Sequence, residues 1–131
     1  MPVELKILAL STIVLLFYII AATQSKTAQY GAKWNMGPRD AAVPDPNALT
    51  GRLMRAQANF LETYPIAIIA LLGVVVANKT SATTALGGWI WLGARVVYWP
   101  LYAVGIPLIR TIVWGISIAG LVMVIWPLFV G

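Results

Sequence analysis

Residues 49–77, LTGRLMRAQANFLETYPIAIIALLGVVVA, form a segment that is apolar enough to cross a membrane and yet carries polar side chains on one face. At 100° per residue these side chains fall within an arc of about 80°, and we call them the polar stripe: Arg52, Arg55, Asn59 and Glu62. An ionisable group near the centre of a membrane helix costs about 2.5–3.5 kcal/mol, so such groups usually face a bundle interior or a polar cavity. The segment therefore predicts a membrane helix whose stripe lines a functional site.

Composition places the whole chain in the membrane class. Of its 131 residues, 60% are hydrophobic and 10% are charged, whereas a soluble domain is about 45–50% apolar and about 25% charged. We therefore predict a single transmembrane domain over residues 1–131. The net charge of +5 is interpreted as membrane topology and contact with lipid headgroups rather than nucleic-acid binding, because no basic run with interleaved aromatic residues occurs.

The chain contains no cysteine and no histidine. This excludes a protein thiol nucleophile, a Ser-His-Asp triad and the usual zinc sites. Only four carboxylate side chains occur, and they are scattered, which argues against a metal site. Any redox or thiol chemistry must therefore come from a small-molecule partner.

Four stretches have the length of about 20 largely apolar residues that a membrane helix needs, and they cover about residues 3–23, 49–77, 82–104 and 107–130. The long polar segment between the first two, about residues 24–48, is rich in glycine and proline and is predicted to be a cytoplasmic loop. Short links join the later helices, so neighbouring helices are expected to be antiparallel. The predicted fold class is all-α, an integral membrane four-helix bundle.

Basic residues set the expected orientation in the membrane. Only Lys6 and Lys79 lie on one side. Six lie on the side of the long loop: Lys26, Lys33, Arg39, Arg52, Arg55 and Arg110. We therefore expect the loop side to face the cytoplasm and both termini to lie on the opposite side.

A second polar face lies on the third predicted helix, where Arg95, Tyr98 and Tyr102 fall within about 60° of arc. Measured from the cytoplasmic helix ends at 1.5 Å per residue, Asn59 and Arg95 both lie about 14 Å deep. Because the two helices are expected to be antiparallel, their polar faces should meet at matched depth. Together they predict one pocket that opens to the cytoplasm.

The side chains of this pocket specify the chemistry of its ligand. Arginine forks bind carboxylates through paired hydrogen bonds, Glu62 can hold an ammonium group, and Asn59 can both donate and accept. The matching ligand is a zwitterion with more than one carboxylate and at least one amine, and glutathione has this pattern. Arg52, at the start of the stripe, is interpreted as an interface residue whose side chain snorkels to the headgroups.

Two motifs resemble those of the MAPEG family, the membrane-associated proteins in eicosanoid and glutathione metabolism. Residues 55–65, RAQANFLETYP, resemble the family's helix 2 signature, and residues 94–102, ARVVYWPLY, followed by Arg110, are similar to its helix 3–4 signature. The resemblance covers essentially the whole chain and points to a bacterial member of the microsomal glutathione transferase type.

The resemblance implies a homotrimer in membrane lipid, with glutathione bound as co-substrate between adjacent subunits near the cytoplasmic face. Arg110 aligns with the arginine that stabilises the glutathione thiolate and is the implied catalytic residue. Gln57 matches a residue that contacts glutathione in some members, and Lys26 is the nearest match to a basic residue at the end of helix 1. The other glutathione contacts that the resemblance implies are Arg55, Asn59, Glu62, Tyr98 and Tyr102. Arg95 is added to this set because it lies at the same depth as Asn59. The implied activity is a transferase or peroxidase that detoxifies lipophilic electrophiles or hydroperoxides.

Other interpretations stay open at this point. A non-catalytic family member that binds a lipid or another ligand would carry the same motifs. A small multidrug transporter has a similar length and four helices, but its essential glutamate lies within helix 1, where this chain has only Glu4 at the helix end. Glu62 with Arg55 or Arg95 is alternatively a structural ion pair, and the tryptophans, Trp114 among them, are interpreted as belt or packing residues.

Overall fold

The computed structural model describes residues 1–130, and within them it contains only helices and their connections. The five α-helices are α1 (Val3–Tyr30), α2 (Ala32–Met36), α3 (Ala48–Val76), α4 (Ala82–Ala103) and α5 (Pro107–Ile125). A 3-10 turn follows over Trp126–Leu128. The predicted all-α class is confirmed, but the described residues form five α-helices where four were predicted.

The additional helix, α2, lies inside the segment that was predicted to be a loop. α1 also continues past its predicted end at Thr23, because the next seven residues contain no glycine or proline. It ends before Gly31, whose φ of +97° glycine adopts readily. Four long helices and one short one therefore replace the predicted four helices and single long loop.

The last helix ends at Ile125 rather than near residue 130. Pro127 has no N–H with which to continue the α-helical hydrogen bonds, and the chain tightens there into the 3-10 turn.

Within residues 1–130, three helical segments are long and apolar enough to cross a membrane: Val3–Tyr30, Ala48–Val76 and Pro107–Leu128. α4 was predicted as a fourth span and is not among them, because Arg95 and the tryptophans, tyrosines and glycines of α4 lower its mean hydropathy. Arg95 is fully buried against the other helices. The charged residue of α4 thus faces the interior of the protein and not the surrounding lipid.

α1 and α3 pack antiparallel through small polar contacts. The hydroxyl groups of Ser25 and Thr50 lie 2.6 Å apart, and those of Ser11 and Tyr64 lie 2.8 Å apart. An aromatic cluster fills the space toward α4, where the Phe60 ring lies 4.8 Å from Tyr18 and 6.2 Å from Trp91.

α4 and α5 approach each other through glycine. A Cβ atom added to Gly87 would lie 2.7 Å from the carbonyl oxygen of Gly120, and one added to Gly120 would lie 2.6 Å from the carbonyl oxygen of Gly87. Neither position therefore has room for a side chain, and this close approach fixes how α5 lies against α4.

The helix ends bring one set of polar residues together. α3 is capped at its N-terminus by Asn47, whose side chain accepts a hydrogen bond of 2.9 Å from the backbone N–H of Thr50. α5 follows α4 after a turn in which Gly105 has a φ of +77°, and it begins with Pro107, a residue well suited to the first helical turn. The first half of α3, the end of α4 and the start of α5 therefore share one end of the molecule.

Candidate functional site

A pocket of about 370 Å³ lies at this shared end, between α3, α4 and α5. α3 contributes Arg55, Ala58, Asn59 and Glu62; α4 contributes Tyr98 and Tyr102; α5 contributes Arg110, Thr111 and Trp114. The pocket thus joins two predicted polar faces with the start of the last helix.

The α3 wall follows from helical spacing. Arg55, Asn59 and Glu62 are three and four residues apart, so they lie on one face. Arg55 and Glu62 are exposed and Asn59 is half-buried. A guanidinium, an amide and a carboxylate are therefore all accessible along about two turns of one helix.

The α4 wall consists of two tyrosines one turn apart. Tyr98 is buried and Tyr102 is half-buried, and their rings meet edge to face with centroids 5.5 Å apart. This contact gives the pocket a rigid aromatic wall.

Arg110 reaches the pocket from the first turn of α5. Its guanidinium carbon lies 4.5 Å from the centroid of the Tyr102 ring, and that of Arg55 lies 6.0 Å from the same centroid. Cation–π contact of this kind holds both guanidinium groups near one aromatic ring. An anion between them would meet positive charge from α3 and from α5.

Arg95 lies behind the pocket rather than in its lining. It is fully buried, and it donates hydrogen bonds of 2.8 Å to Oδ1 of Asn59 and 2.7 Å to Oγ1 of Thr63. The rings of Phe60 and Tyr98 lie 5.3 and 5.2 Å from its guanidinium carbon. The structure therefore connects Arg95 to the pocket through Asn59, and these hydrogen bonds go to neutral groups rather than to Glu62.

Gln57 and Lys26 do not line this pocket in their own chain. Gln57 is two residues from Arg55, so it points about 200° away around α3. Lys26 lies in the last part of α1, and both residues are half-buried. Arg95, Gln57 and Lys26 are thus the three predicted site residues that do not line the pocket. The remaining six all line it.

Three lining residues were not predicted: Ala58, Thr111 and Trp114. Trp114 had been interpreted as a belt or packing residue, but it lies one turn after Arg110 and therefore on the same face of α5. The i, i+4 spacing from Arg110 was the signal that could have identified it.

Arg52 contacts the turn that leads into α5. It is half-buried, its Nη1 donates a long hydrogen bond of 3.4 Å to the carbonyl oxygen of Ala103, and its guanidinium carbon lies 3.0 Å from where a Cβ of Gly105 would stand. A cation is favourable at the C-terminal end of a helix. Arg52 thus contacts the protein in addition to any contact with the membrane interface.

Glu4, the carboxylate of α1, lies at the opposite end of the molecule. It is buried and accepts a hydrogen bond of 2.6 Å from the Thr84 hydroxyl in the first turn of α4. This carboxylate joins two helices and lies far from the pocket.

The profile of the MAPEG family matches residues 5–130, nearly the whole chain. No curated protein and no solved structure matches the chain. The matched range includes every residue that lines the pocket.

Proposed function

The chain belongs to the MAPEG family, and on this premise we propose that it is a membrane-bound, glutathione-dependent transferase or peroxidase. The observation that carries the proposal is the pocket itself, where Arg55, Arg110, Asn59 and Glu62 converge in a volume of about 370 Å³. Pockets for small molecules span about 300–1,000 Å³. A flexible tripeptide is a ligand of suitable size.

The charges of the site match glutathione in its thiolate form. Arg55 and Arg110 line the pocket, Arg95 lies directly behind it, and Glu62 supplies the single carboxylate. Glutathione with an ionised thiol has the reverse set, two carboxylates and a thiolate with one ammonium group. Ionisation of the bound thiol therefore brings the ligand's charge into balance with the site.

Arg110 is the proposed thiolate-stabilising residue. A thiol with a pKa near 8.5 is only a few per cent ionised at neutral pH, and lowering that pKa to about 6.5 requires about 2.7 kcal/mol. A hydrogen bond to a charged group contributes about 1.5–3 kcal/mol, and the N-terminus of a helix adds about 0.3–1 kcal/mol for a nearby anion. One arginine in the first turn of α5 is therefore sufficient without a protein base.

The reaction then proceeds at the ligand's sulfur. With a lipophilic electrophile, a sulfur–carbon bond forms and the leaving group departs with its electron pair. With a hydroperoxide, the thiolate attacks the terminal oxygen and an alcohol is released after protonation. The resulting sulfenic form of glutathione condenses with a second glutathione to give the disulfide and water. Apolar substrates would reach the pocket from the lipid that surrounds the apolar helices.

We also propose that the active form is a homotrimer with the pocket facing the cytoplasm. Gln57 and Lys26 lie outside the pocket of their own chain, so the copies of these residues on an adjacent subunit are available to complete its open side. The excess of basic residues on the loop side supports the orientation. Native mass spectrometry in detergent should give a trimer, and a monomeric protein that binds glutathione with full affinity would contradict this arrangement.

The test is calorimetric titration of glutathione into the purified protein, together with turnover of a lipophilic aryl halide and an organic hydroperoxide. We expect saturable binding that Arg55→Ala weakens at least tenfold, while Arg39→Ala, which removes an exposed arginine outside the pocket, leaves it unchanged. Folded wild-type protein that does not bind glutathione would exclude the proposal. Binding without turnover would favour the non-catalytic alternative, in which Arg110→Ala has no activity to remove.

A further inference from the structure

The contact between Arg95 and Asn59 fixes which end of the Asn59 amide faces the pocket. Arg95 donates a hydrogen bond of 2.8 Å to the side chain of Asn59. A guanidinium group has donors only and no acceptor. The atom of Asn59 that faces Arg95 must therefore be the carbonyl oxygen.

The amide nitrogen of Asn59 is then the group left for a ligand. Within residues 1–130 it donates to no protein atom, and it is not among the buried polar atoms that lack a partner. Asn59 itself lines the pocket. Its Nδ2 thus has free hydrogen-bonding capacity at an accessible position.

Arg95 is held so that it cannot release the amide easily. Its second nitrogen donates to the Thr63 hydroxyl at 2.7 Å, one turn further along α3. Phe60 and Tyr98 lie against the guanidinium, and the Tyr18 hydroxyl donates to the backbone carbonyl of Arg95 at 2.5 Å. A rotated Asn59 amide would present N–H groups to a buried cation and leave the Arg95 donor without an acceptor.

We propose that Asn59 acts only as a hydrogen-bond donor to the ligand, pairing with a carboxylate oxygen of glutathione, and that Arg95 is the positioning residue that imposes this polarity. The inference rests on the proposed function for the identity of the ligand. Glu62, three residues further along α3, can only accept when it is ionised. α3 therefore offers a donor and then an acceptor at an axial distance of about 4.5 Å, which fixes the direction in which a zwitterion can bind.

Reversing the polarity of residue 59 tests the proposal. Asn59→Asp keeps an oxygen for Arg95 but presents an acceptor to the pocket. The ligands are glutathione and its two monocarboxamides, in which one carboxylate becomes a group that can donate. We expect Asn59→Asp to shift the preference from glutathione toward one of the carboxamides by at least tenfold relative to wild type, measured as the ratio of Kd values by calorimetry.

The control is Asn78→Asp, the same chemical change at an exposed position in the turn between α3 and α4, where the ratios should stay at the wild-type values. A merely structural role for Asn59 would weaken all three ligands together. Ratios for both carboxamides that stay within twofold of wild type in Asn59→Asp would overturn the proposal, whereas wild-type protein that does not bind glutathione would remove the proposed function first.

A second pair of variants serves if Asn59→Asp does not fold. Arg95→Lys keeps a side chain that only donates, so the wild-type ratios should persist. Arg95→Gln offers a carbonyl oxygen to which Asn59 can donate, so the amide can rotate and the preference for glutathione should fall at least threefold. Equal ratios in the two variants would contradict the assigned role of Arg95.

Discussion

Replacing Arg110 with alanine should raise the pKa of the bound glutathione thiol and move the pH dependence of turnover. Arg110 is half-buried, lies in the first turn of α5 and is held 4.5 Å from the Tyr102 ring. Losing one hydrogen bond to a charged group costs about 1.5–3 kcal/mol, which at 1.36 kcal/mol per unit raises the thiol pKa by about 1.1–2.2 units. From a starting pKa near 6.5, the thiolate fraction at pH 7 would fall from about 76% to about 2–20%.

The assay is the pH dependence of turnover of a lipophilic aryl halide at saturating glutathione. Arg110→Ala should be about 4- to 40-fold slower at pH 7 and should recover as the pH rises above the new pKa, because the deprotonated thiol is the reactive form. Arg110→Lys retains the charge without the planar fork and should lie between the two. A variant that is slower by the same factor at every pH would refute thiolate stabilisation by Arg110.

Three further substitutions have expected outcomes. Glu62→Gln should weaken glutathione about tenfold, toward the lower limit for a hydrogen bond to a charged group because Glu62 is exposed, while leaving the affinity of desaminoglutathione unchanged; equal losses for both ligands would contradict an ammonium contact. Gly120→Ala should lower the melting temperature in detergent through overpacking of about 1–3 kcal/mol, since its Cβ would lie 2.6 Å from a carbonyl oxygen, whereas Gly115→Ala faces open space and should not. Gly105→Ala would be strained at a φ of +77° and crowded against Arg52. It should reduce turnover more than glutathione affinity, because the turn at Gly105 leads into the first turn of α5, where Arg110 lies. An equal loss of turnover and affinity would indicate general unfolding instead.

The pocket walls could be predicted from sequence because helical periodicity determines them. Arg55, Asn59 and Glu62 share a face by their spacing, and so do Tyr98 and Tyr102. The pocket brings both sets together. Periodicity gives the direction of a side chain but not where a cavity ends. Arg95 is on the same face of α4 as the two tyrosines, and the sequence alone therefore could not show that it lies behind the pocket instead of lining it.

Other features depend on how helices meet, which a pattern within one helix does not encode. The crossing of Gly87 and Gly120 requires the register between α4 and α5. The short helix α2 was missed because five residues between two glycines give too few turns for an apolar period to be recognised.

The most direct test of thiolate binding in this pocket is an ultraviolet difference titration of wild-type protein with glutathione at neutral pH, using S-methylglutathione as the blank. We expect a thiolate absorbance that grows with bound glutathione and saturates at the same concentration as calorimetric binding. Saturable binding with no thiolate absorbance would contradict the claim that this pocket binds glutathione in its ionised form.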